Sequence, residues 1–252
     1  KQFKLWFDVV SSYEKLICIS ESTLIETKKW LEINKPKKIK NLKLKSFTLA
    51  NELTSDDMTY GDPEIANTLR KCLKAENLFI MVGTMEPRKG HKEVFEAFKL
   101  LWEEGVRVNL LIIGKRGWCV DSLAKEIRLS DHFGKNLFWL KKCSDEFLLE
   151  MYLTSTGLIA ASYAEGYGLP LVESQNYGLD VFARDIDVFR EIDKKFNSFT
   201  FFSSKNPVEF KKQFLAWKNG VKRQKRKFLS STNSICWKKA TKELENVIND
   251  KS

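Results

Sequence analysis

Residues 164–173, AEGYGLPLVE, combine two glycines with two glutamates between a strand-like and a helix-like segment. The apolar run 157–161 precedes them and the run 171–177 follows, which predicts a strand, a turn and a helix in that order. Gly166 and Gly168 let the turn backbone approach a ligand closely. The first amides of the helix add N–H groups and the positive end of the helix dipole. Such a turn suits an anion or a polyhydroxyl group.

The two glutamates narrow the kind of ligand. Glu165 lies in the turn and Glu173 eight positions later. About two helical turns separate them, so both carboxylates can border one cleft at different depths. Phosphate alone would be repelled, but a ligand that is part phosphate and part sugar would use the amides and the carboxylates together. An ordinary strand-to-helix turn with a solvated Glu165 fits the same spacing, so the pattern leaves both interpretations open.

The elements that must position these residues form a regular alternation. Short apolar runs separated by helical patterns predict a parallel sheet covered on both faces, and we expect a Rossmann-like, doubly wound α/β domain over residues 77–204. No G-x-G-x-x-G turn follows its first strand, which argues against a dinucleotide-binding dehydrogenase. The predicted strands are 78–82, 108–113, 137–140, 158–160, 179–183 and 199–202, and the predicted helices include 63–74, 91–104, 121–129, one capped by Ser144 and one after Pro170.

Ligands of such sheets bind beyond the carboxyl ends of the strands, so the loops after these strands should meet at one crevice. The first loop contributes Gly83, which gives the backbone room, and Arg88 and Lys89, which supply positive charge for a diphosphate or form a solvated basic turn. His91 is expected to cap the following helix rather than to titrate. Trp118, in a loop expected to flank a nucleotide base with residues 141–143, could stack on that base, but we favour packing in the core.

Several motifs occur in a familiar order along residues 77–192. They are VGTMEPRKGH at 82–91, GKRGW at 114–118, SDE at 144–146, the AEGYGLPLVE turn and ARDIDVFRE at 183–191. Together they resemble glycosyltransferase family 4, retaining enzymes with the GT-B fold, and are most like bacterial mannosyltransferases of surface-polysaccharide assembly. The resemblance implies that the domain is the C-terminal, donor-binding half of a GT-B fold.

The resemblance also implies roles for residues. Lys89 would neutralise the leaving diphosphate with Arg88 as its partner, Glu165 would bind donor-sugar hydroxyls and act with these two in catalysis, and Glu173 would bind the ribose. The implied donor-binding residues are Gly83, Arg88, Lys89, Glu165, Gly166, Tyr167, Gly168, Leu169 and Glu173.

The implied reaction is retention by front-face displacement, without a protein nucleophile, metal or cofactor. GDP-mannose or another nucleoside-diphosphate hexose is the expected donor substrate, and a saccharide or lipid-linked glycan the acceptor. The sequence departs from the family at Thr84, at Lys141 or Lys142, and at Asp180, where arginine, glycine and proline are usual.

The resemblance divides the chain into three parts. Residues 1–62 correspond to a remnant of the N-terminal acceptor domain and a linker, 63–204 to the donor domain, and 205–252 to C-terminal helices, the last of which returns to the first domain. The remnant holds a strand at 16–19 and a helix capped by Ser20 or Ser22. Because earlier acceptor-domain strands are missing, we expect nucleotide binding without sugar transfer. The alternative is a non-catalytic nucleotide-sugar-binding or assembly module of a polysaccharide-synthesis complex.

Composition excludes other classes. The 252 residues carry a net charge of +10, five scattered cysteines and two histidines, which disfavour a disulfide framework, structural zinc and a His-based metal site. No apolar run approaches the ~18 residues of a membrane span, and the first residues lack a secretory signal, so a cytoplasmic location is expected.

Two basic runs, 35–45 and 222–227, carry much of the positive charge. They predict either peripheral contact with anionic lipid at the inner face of the membrane or solvated surfaces of a basic protein. Little aromatic interleaving and no recognised motif disfavour nucleic acid as the partner.

Overall fold

A computed structural model describes residues 5, 9–10, 12–34, 42–50, 77–204, 206–221 and 236–250. The chain divides into two compact units. We call residues 53–164 and 169–232 the sheet unit, and residues 1–52, 165–168 and 233–252 the small unit. The predicted helix 63–74, most of the basic run 35–45 and all of the run 222–227 lie outside the described residues.

The strands are β1 (Lys15–Cys18), β2 (Lys43–Ser46), β3 (Leu78–Val82), β4 (Asn109–Ile113), β5 (Leu137–Leu140), β6 (Gly157–Ala160), β7 (Val181–Arg184) and β8 (Phe199–Phe202). The helices are α1 (Glu21–Asn34), α2 (His91–Glu103), α3 (Asp121–Leu129), α4 (Asp145–Thr154), α5 (Leu169–Gln175), α6 (Asp187–Phe196), α7 (Pro207–Gly220) and α8 (Trp237–Asn249). A short 3₁₀ turn, Pro87–Lys89, precedes α2.

The sheet unit contains six parallel strands in the order β5-β4-β3-β6-β7-β8. The central strand β3, LFIMV, is almost wholly buried because it is an apolar run with helices on both sides of the sheet. The chain order reverses direction between β3 and β6, which is the switch point where ligands of doubly wound sheets bind. The predicted Rossmann-like α/β fold is confirmed.

Aromatic side chains fill the core beneath α2 and α7. The ring of Phe79 on β3 lies 4.7 Å from that of Phe214 on α7, and Phe214 lies 5.0 Å from Phe98 on α2. Phe182 on β7 stacks on Trp217 at 4.9 Å. Burying aromatic rings of this size supplies much of the driving force for folding. This packing therefore stabilises the sheet that positions the loops.

Local signals define the helix ends. Ser144 accepts a hydrogen bond from the amide of Phe147, which confirms the predicted cap of α4. Helix α5 begins at Leu169, earlier than predicted, because Pro170 is well suited to the first helical turn. Strand β7 begins at Val181 rather than residue 179, because the amide of Leu179 bonds back to the carbonyl of Ser174 at the end of α5.

The small unit is built around the parallel pair β1 and β2. The Lys15 ammonium donates to the carbonyls of Val247, Ile248 and Asp250, at 3.0, 2.7 and 2.8 Å. This charge stabilises the negative end of α8, as expected for a cation at a helix C-terminus. The predicted return of the C-terminal helix to the N-terminal segment is thereby confirmed.

Candidate functional site

The carboxyl end of β3 brings Gly83 and Lys89 together. Gly83 follows the strand with φ of 136°, a backbone conformation that side chains disfavour. A Cβ added to Gly83 would lie 3.8 Å from Nζ of Lys89. The ammonium group therefore lies beside the backbone of Gly83 at the end of the central strand, which is the edge where ligands of doubly wound sheets bind.

The 3₁₀ turn that carries Lys89 is packed closely against the loop after β6. The amide of Tyr163 donates to the carbonyl of Arg88 at 2.7 Å. At Gly90, where φ is 72°, a Cβ would lie 2.3 Å from the carbonyl oxygen of Ala161. Because no side chain fits there, glycine is required for this contact, and the contact holds the basic turn against the neighbouring strand's loop.

Arg88 has two partners on the same side of the sheet. Its Nε pairs with Glu86 at 2.9 Å, and its terminal nitrogen donates to the carbonyl of Ala164 at 3.0 Å. The side chain is 42% exposed, so its charge remains accessible to solvent. A diphosphate at this site would compete with Glu86 for the guanidinium group.

His91 does not cap α2 with its side chain, and that prediction is wrong. The residue before it, Gly90, occupies the N-cap position, while the imidazole is buried and neither ring nitrogen has a hydrogen-bond partner among the described residues. Burial, with the charge of Lys89, lowers the pKa of His91 to about 4. The ring is therefore neutral near pH 7 and does not add charge to the basic turn.

Glu173 lies on α5 and is held by α4. Tyr152 donates a hydrogen bond from its hydroxyl to Oε2 of Glu173 at 2.8 Å. Burial raises the pKa of Glu173, although the bond from Tyr152 opposes that effect. Leu169 begins α5, but seven residues make a short helix, so the positive charge of the site comes mainly from Arg88 and Lys89.

A buried ion pair connects the ends of several elements behind the basic turn. The Arg184 guanidinium at the end of β7 pairs with Glu93 in the first turn of α2, and both side chains are almost fully buried. Arg184 also donates to the carbonyls of Ala161 and Ser204, at 3.0 and 2.9 Å. Glu93 accepts from the hydroxyls of Ser204 and Tyr163, at 2.5 and 2.6 Å. The pair is thus fully hydrogen-bonded, as a buried pair must be to be tolerated.

The glycine turn of residues 165–168 belongs to the small unit. The carbonyl of Gly166 accepts hydrogen bonds from the hydroxyls of Ser20 and Thr23, at 2.7 and 3.0 Å. Tyr167 is buried, with its hydroxyl 3.4 Å from the carbonyl of Leu49. Gly168 has φ of 103°, which favours glycine. These contacts anchor the turn that carries Glu165, which is partly exposed.

Ser20 also caps the N-terminus of α1 in the small unit. Its hydroxyl oxygen accepts from the amide of Thr23 at 3.1 Å, so Ser20 rather than Ser22 is the N-cap of α1. One serine therefore begins the helix and also binds the glycine turn.

The loops predicted to flank a base are mostly exposed. Trp118 is 61% exposed, so the prediction that it packs in the core is wrong. Its loop is held instead by Gly117, whose amide donates to the carbonyl of Met85 at 2.9 Å, and this turn directs the indole outward. Lys141 and Lys142, the positions where relatives usually have a glycine, are exposed as well.

In the part of the chain that the structure describes, no three His, Cys, Asp or Glu side chains gather closely enough to hold a metal ion. None of its helices is both long enough and apolar enough to cross a lipid bilayer.

Sequence reasoning missed the residues that support the site. Arg184 is the last residue of an otherwise apolar strand, VFAR, and a charge in that position could have indicated a buried pair. Its partner Glu93 lies 91 residues away in the chain, so no local pattern indicated it. Tyr152 gave no signal, because a tyrosine on the buried face of a helix is typical of core packing.

Comparison with known proteins identifies the family. The family model described as glycosyl transferases group 1 matches residues 69–228. A serotype-specific mannosyltransferase WbdA of Escherichia coli is 38% identical over 249 residues, which are 97% of this chain and 30% of that protein. The O-antigen chain mannosyltransferase B of Escherichia coli is 31% identical over 141 residues, 55% of this chain and 37% of that one. The chain thus spans about a third of the length of these curated relatives.

Solved structures of GT-B glycosyltransferases share the fold. A UDP-forming alpha,alpha-trehalose-phosphate synthase from Burkholderia xenovorans, solved with glucose-6-phosphate, superposes with a TM-score of 0.63 at 15% identity, over 88% of this chain and 56% of that one. TarM superposes with a TM-score of 0.61 at 16% identity, over 88% of this chain and 40% of its own. The family match covers more than half of the sequence, and the chain therefore belongs to the glycosyl transferases group 1 family.

Proposed function

We propose that this chain is the donor-binding part of a retaining hexosyltransferase that uses GDP-mannose and passes mannose to a saccharide or lipid-linked glycan. The observation that carries the proposal is the position of the Lys89 ammonium over the backbone of Gly83, at the carboxyl end of the central strand. Mannose is favoured because the curated relatives are named mannosyltransferases. GDP follows as the usual carrier of an activated mannose.

The basic turn would stabilise the leaving group. When the bond between the sugar C1 and the diphosphate oxygen breaks, negative charge develops on the diphosphate. Lys89 supplies a point charge to it and Arg88 a planar fork that can bind two oxygens. Charges already in place at such a position lower the barrier without reorganisation during the reaction.

The two glutamates would bind different parts of the donor. Glu165 accepts hydrogen bonds from hydroxyls of the sugar, and Glu173 accepts them from hydroxyls of the ribose. The acceptor hydroxyl enters on the face that the diphosphate leaves, and its proton passes to a diphosphate oxygen. The configuration at C1 is retained, no protein nucleophile is used, and neither a metal nor a cofactor is assigned to the reaction.

A panel of nucleotides tests the proposal. Calorimetric titration with UDP, GDP, ADP and their hexose conjugates should show binding of GDP and GDP-mannose in preference to the others. Transfer by these residues joined to a complete acceptor domain, followed by NMR, should give a product with the anomeric configuration of the donor. Preference for another nucleotide would overturn the GDP assignment, and an inverted product would overturn the mechanism.

The exposed side chains of Lys141 and Lys142 favour one second candidate function. Side chains at a place where the family usually has glycine can alter contacts with a base, which fits a module that binds nucleotide sugar without transferring it. Binding with no transfer when these residues are joined to a complete acceptor domain would support this non-catalytic role in a polysaccharide-synthesis complex. Transfer at any donor concentration would exclude it.

A further inference from the structure

Tyr152 contacts the proposed donor site through one atom. Its side chain is fully buried in α4, and its hydroxyl donates to Oε2 of Glu173 at 2.8 Å. The ring of Tyr177 stacks on that of Tyr152, with centroids 6.1 Å apart and planes 13° from parallel. Because packing immobilises the phenol, its hydroxyl fixes the orientation of the carboxylate.

The charges around this pair make the hydrogen bond important. Burial raises the pKa of Glu173, and the negative charge of Asp145 at the start of α4 raises it further, whereas the bond from Tyr152 lowers it. Cys143 and Tyr177 also face Tyr152. Burial raises the pKa of Cys143 to about 11 and raises that of Tyr177, so neither group supplies compensating charge near pH 7. Tyr152 is the group that favours the ionised carboxylate within this set.

The geometry leaves Glu173 able to accept from a ligand. An ionised carboxylate has about four acceptor positions on its two oxygens. Tyr152 uses one of them on Oε2, so acceptor capacity remains for a pair of neighbouring hydroxyls. A protonated carboxyl would instead offer a donor, and it would bind a diol less well.

We propose that Tyr152 is a positioning residue for donor recognition, whose hydroxyl holds the Glu173 carboxylate in the orientation that accepts hydrogen bonds from the ribose diol of a nucleoside diphosphate. The inference rests on the proposed function for the identity of the ligand. The link between Tyr152 and Glu173 is testable without any ligand.

The first test measures the titration of Glu173 directly. The chain is labelled with ¹³C at the glutamate carboxyl carbons, and the Glu173 signal is assigned by its loss in Glu173→Gln. Tyr152→Phe keeps the ring and removes the hydroxyl, so the titration midpoint of Glu173 should rise. Tyr163→Phe is the matched control, because the hydroxyl it removes donates to Glu93 at 2.6 Å. An unmoved midpoint in Tyr152→Phe, or an equal rise in Tyr163→Phe, would overturn the inference.

The second test uses GDP and 2′,3′-dideoxy-GDP in calorimetric titrations. Tyr152→Phe should weaken GDP roughly tenfold, as expected for a hydrogen bond to a charged group, and should scarcely affect the dideoxy compound. As the pH is lowered, the affinity of the variant for GDP should also begin to fall at a higher pH than the affinity of the wild type does. Equal weakening of both nucleotides would overturn the inference.

These experiments distinguish a failure of the proposed function from a failure of the role proposed for Tyr152. A wild-type chain that binds no nucleoside diphosphate would overturn the proposed function. GDP binding that Glu173→Gln weakens, together with a Glu173 midpoint that Tyr152→Phe does not move, would overturn the role of Tyr152 alone.

Discussion

Arg88 and Lys89 both carry positive charge at the end of β3, but they are held differently. Lys89 lies over the backbone of Gly83, whereas Arg88 is held by Glu86 and by the carbonyl of Ala164. A diphosphate at this end of the strand would compete with Glu86 for the Arg88 guanidinium. Under the proposed function, both side chains contribute positive charge to binding the diphosphate.

The two glutamates give a prediction that separates their roles. Glu173→Gln should weaken both GDP and GDP-mannose, since both contain the ribose, whereas Glu165→Gln should weaken GDP-mannose alone. Each lost charge-assisted hydrogen bond is worth about 1.5–3 kcal/mol, which corresponds to roughly ten- to a hundredfold in affinity. Calorimetric titration of both ligands checks this, and equal losses for GDP in the two variants would show that the roles are wrongly assigned.

His91 gives a prediction about pH. Its pKa is about 4 in the folded chain, against an ordinary value of 6.5, because the ring is buried and lies beside the charge of Lys89. The folded state thus binds this proton less readily than the unfolded state, so stability is highest above about pH 6.5 and falls as the pH drops toward 4. The free energy of unfolding that is lost when His91 must be protonated is about 3 kcal/mol in full. Urea unfolding from pH 7 to 4 should show a smaller loss in His91→Leu than in the wild type, and equal losses would contradict the prediction.

At the scale of elements, the buried pair of Arg184 and Glu93 joins β7, α2 and the loops after β6 and β8. Arg184→Leu would leave Glu93 buried without its ionic partner. Removing one member of a buried pair costs about 3–5 kcal/mol, so the sheet unit should be strongly destabilised. Thermal unfolding followed by tryptophan fluorescence measures the loss.

Arg190→Leu is the matched control for that change. Arg190 pairs with Asp185 on the surface, and its side chain is 54% exposed. Surface pairs of this kind contribute little to stability, so the control should unfold close to the wild type. Similar losses in both variants would show that the buried pair has no special role.

The sequence predicted the elements of the sheet better than the contacts between them. Strands β3 and β5 have the predicted limits because each is a continuous apolar run, bounded by Asn77 and Gly83 in β3 and by Asn136 and Lys141 in β5. The start of β7 was misplaced because the backbone of Leu179 completes the end of α5. Trp118 was misplaced because hydrophobicity says that a side chain can be buried, not that the loop turns it inward.

The candidate site was predictable to the same extent. Gly83 and Lys89 were expected to lie at one place because they belong to one local motif, and the structure brings them together. The bond from Tyr152 to Glu173 spans 21 residues, and the pair of Glu93 and Arg184 spans 91. Contacts of this kind depend on the register of the sheet and on helix packing, and a single sequence contains no direct record of either.

At the scale of the whole molecule, the net charge of +10 favours anionic partners. We predict that the basic runs 35–45 and 222–227 attach the chain to anionic membranes at about 1 kcal/mol per basic residue near the surface. Sedimentation with anionic vesicles at ~0.1 M salt should show attachment that weakens as salt rises, and neutral vesicles should show none. Replacing the basic residues of the run 222–227 with Gln should reduce it. Unchanged sedimentation of that variant would exclude the second run from any such role.

The most direct test of the account asks whether Lys89 binds a diphosphate. Calorimetric titration with GDP should show binding by the wild type, and Lys89→Gln should weaken it by roughly ten- to a hundredfold, the loss expected for a charge-assisted bond. Lys92→Gln is the matched control, because Lys92 lies three residues along the chain, 70% exposed and paired with Glu96 on α2. The account predicts that this control binds GDP as the wild type does. Equal affinities for GDP in the wild type, Lys89→Gln and Lys92→Gln would contradict it.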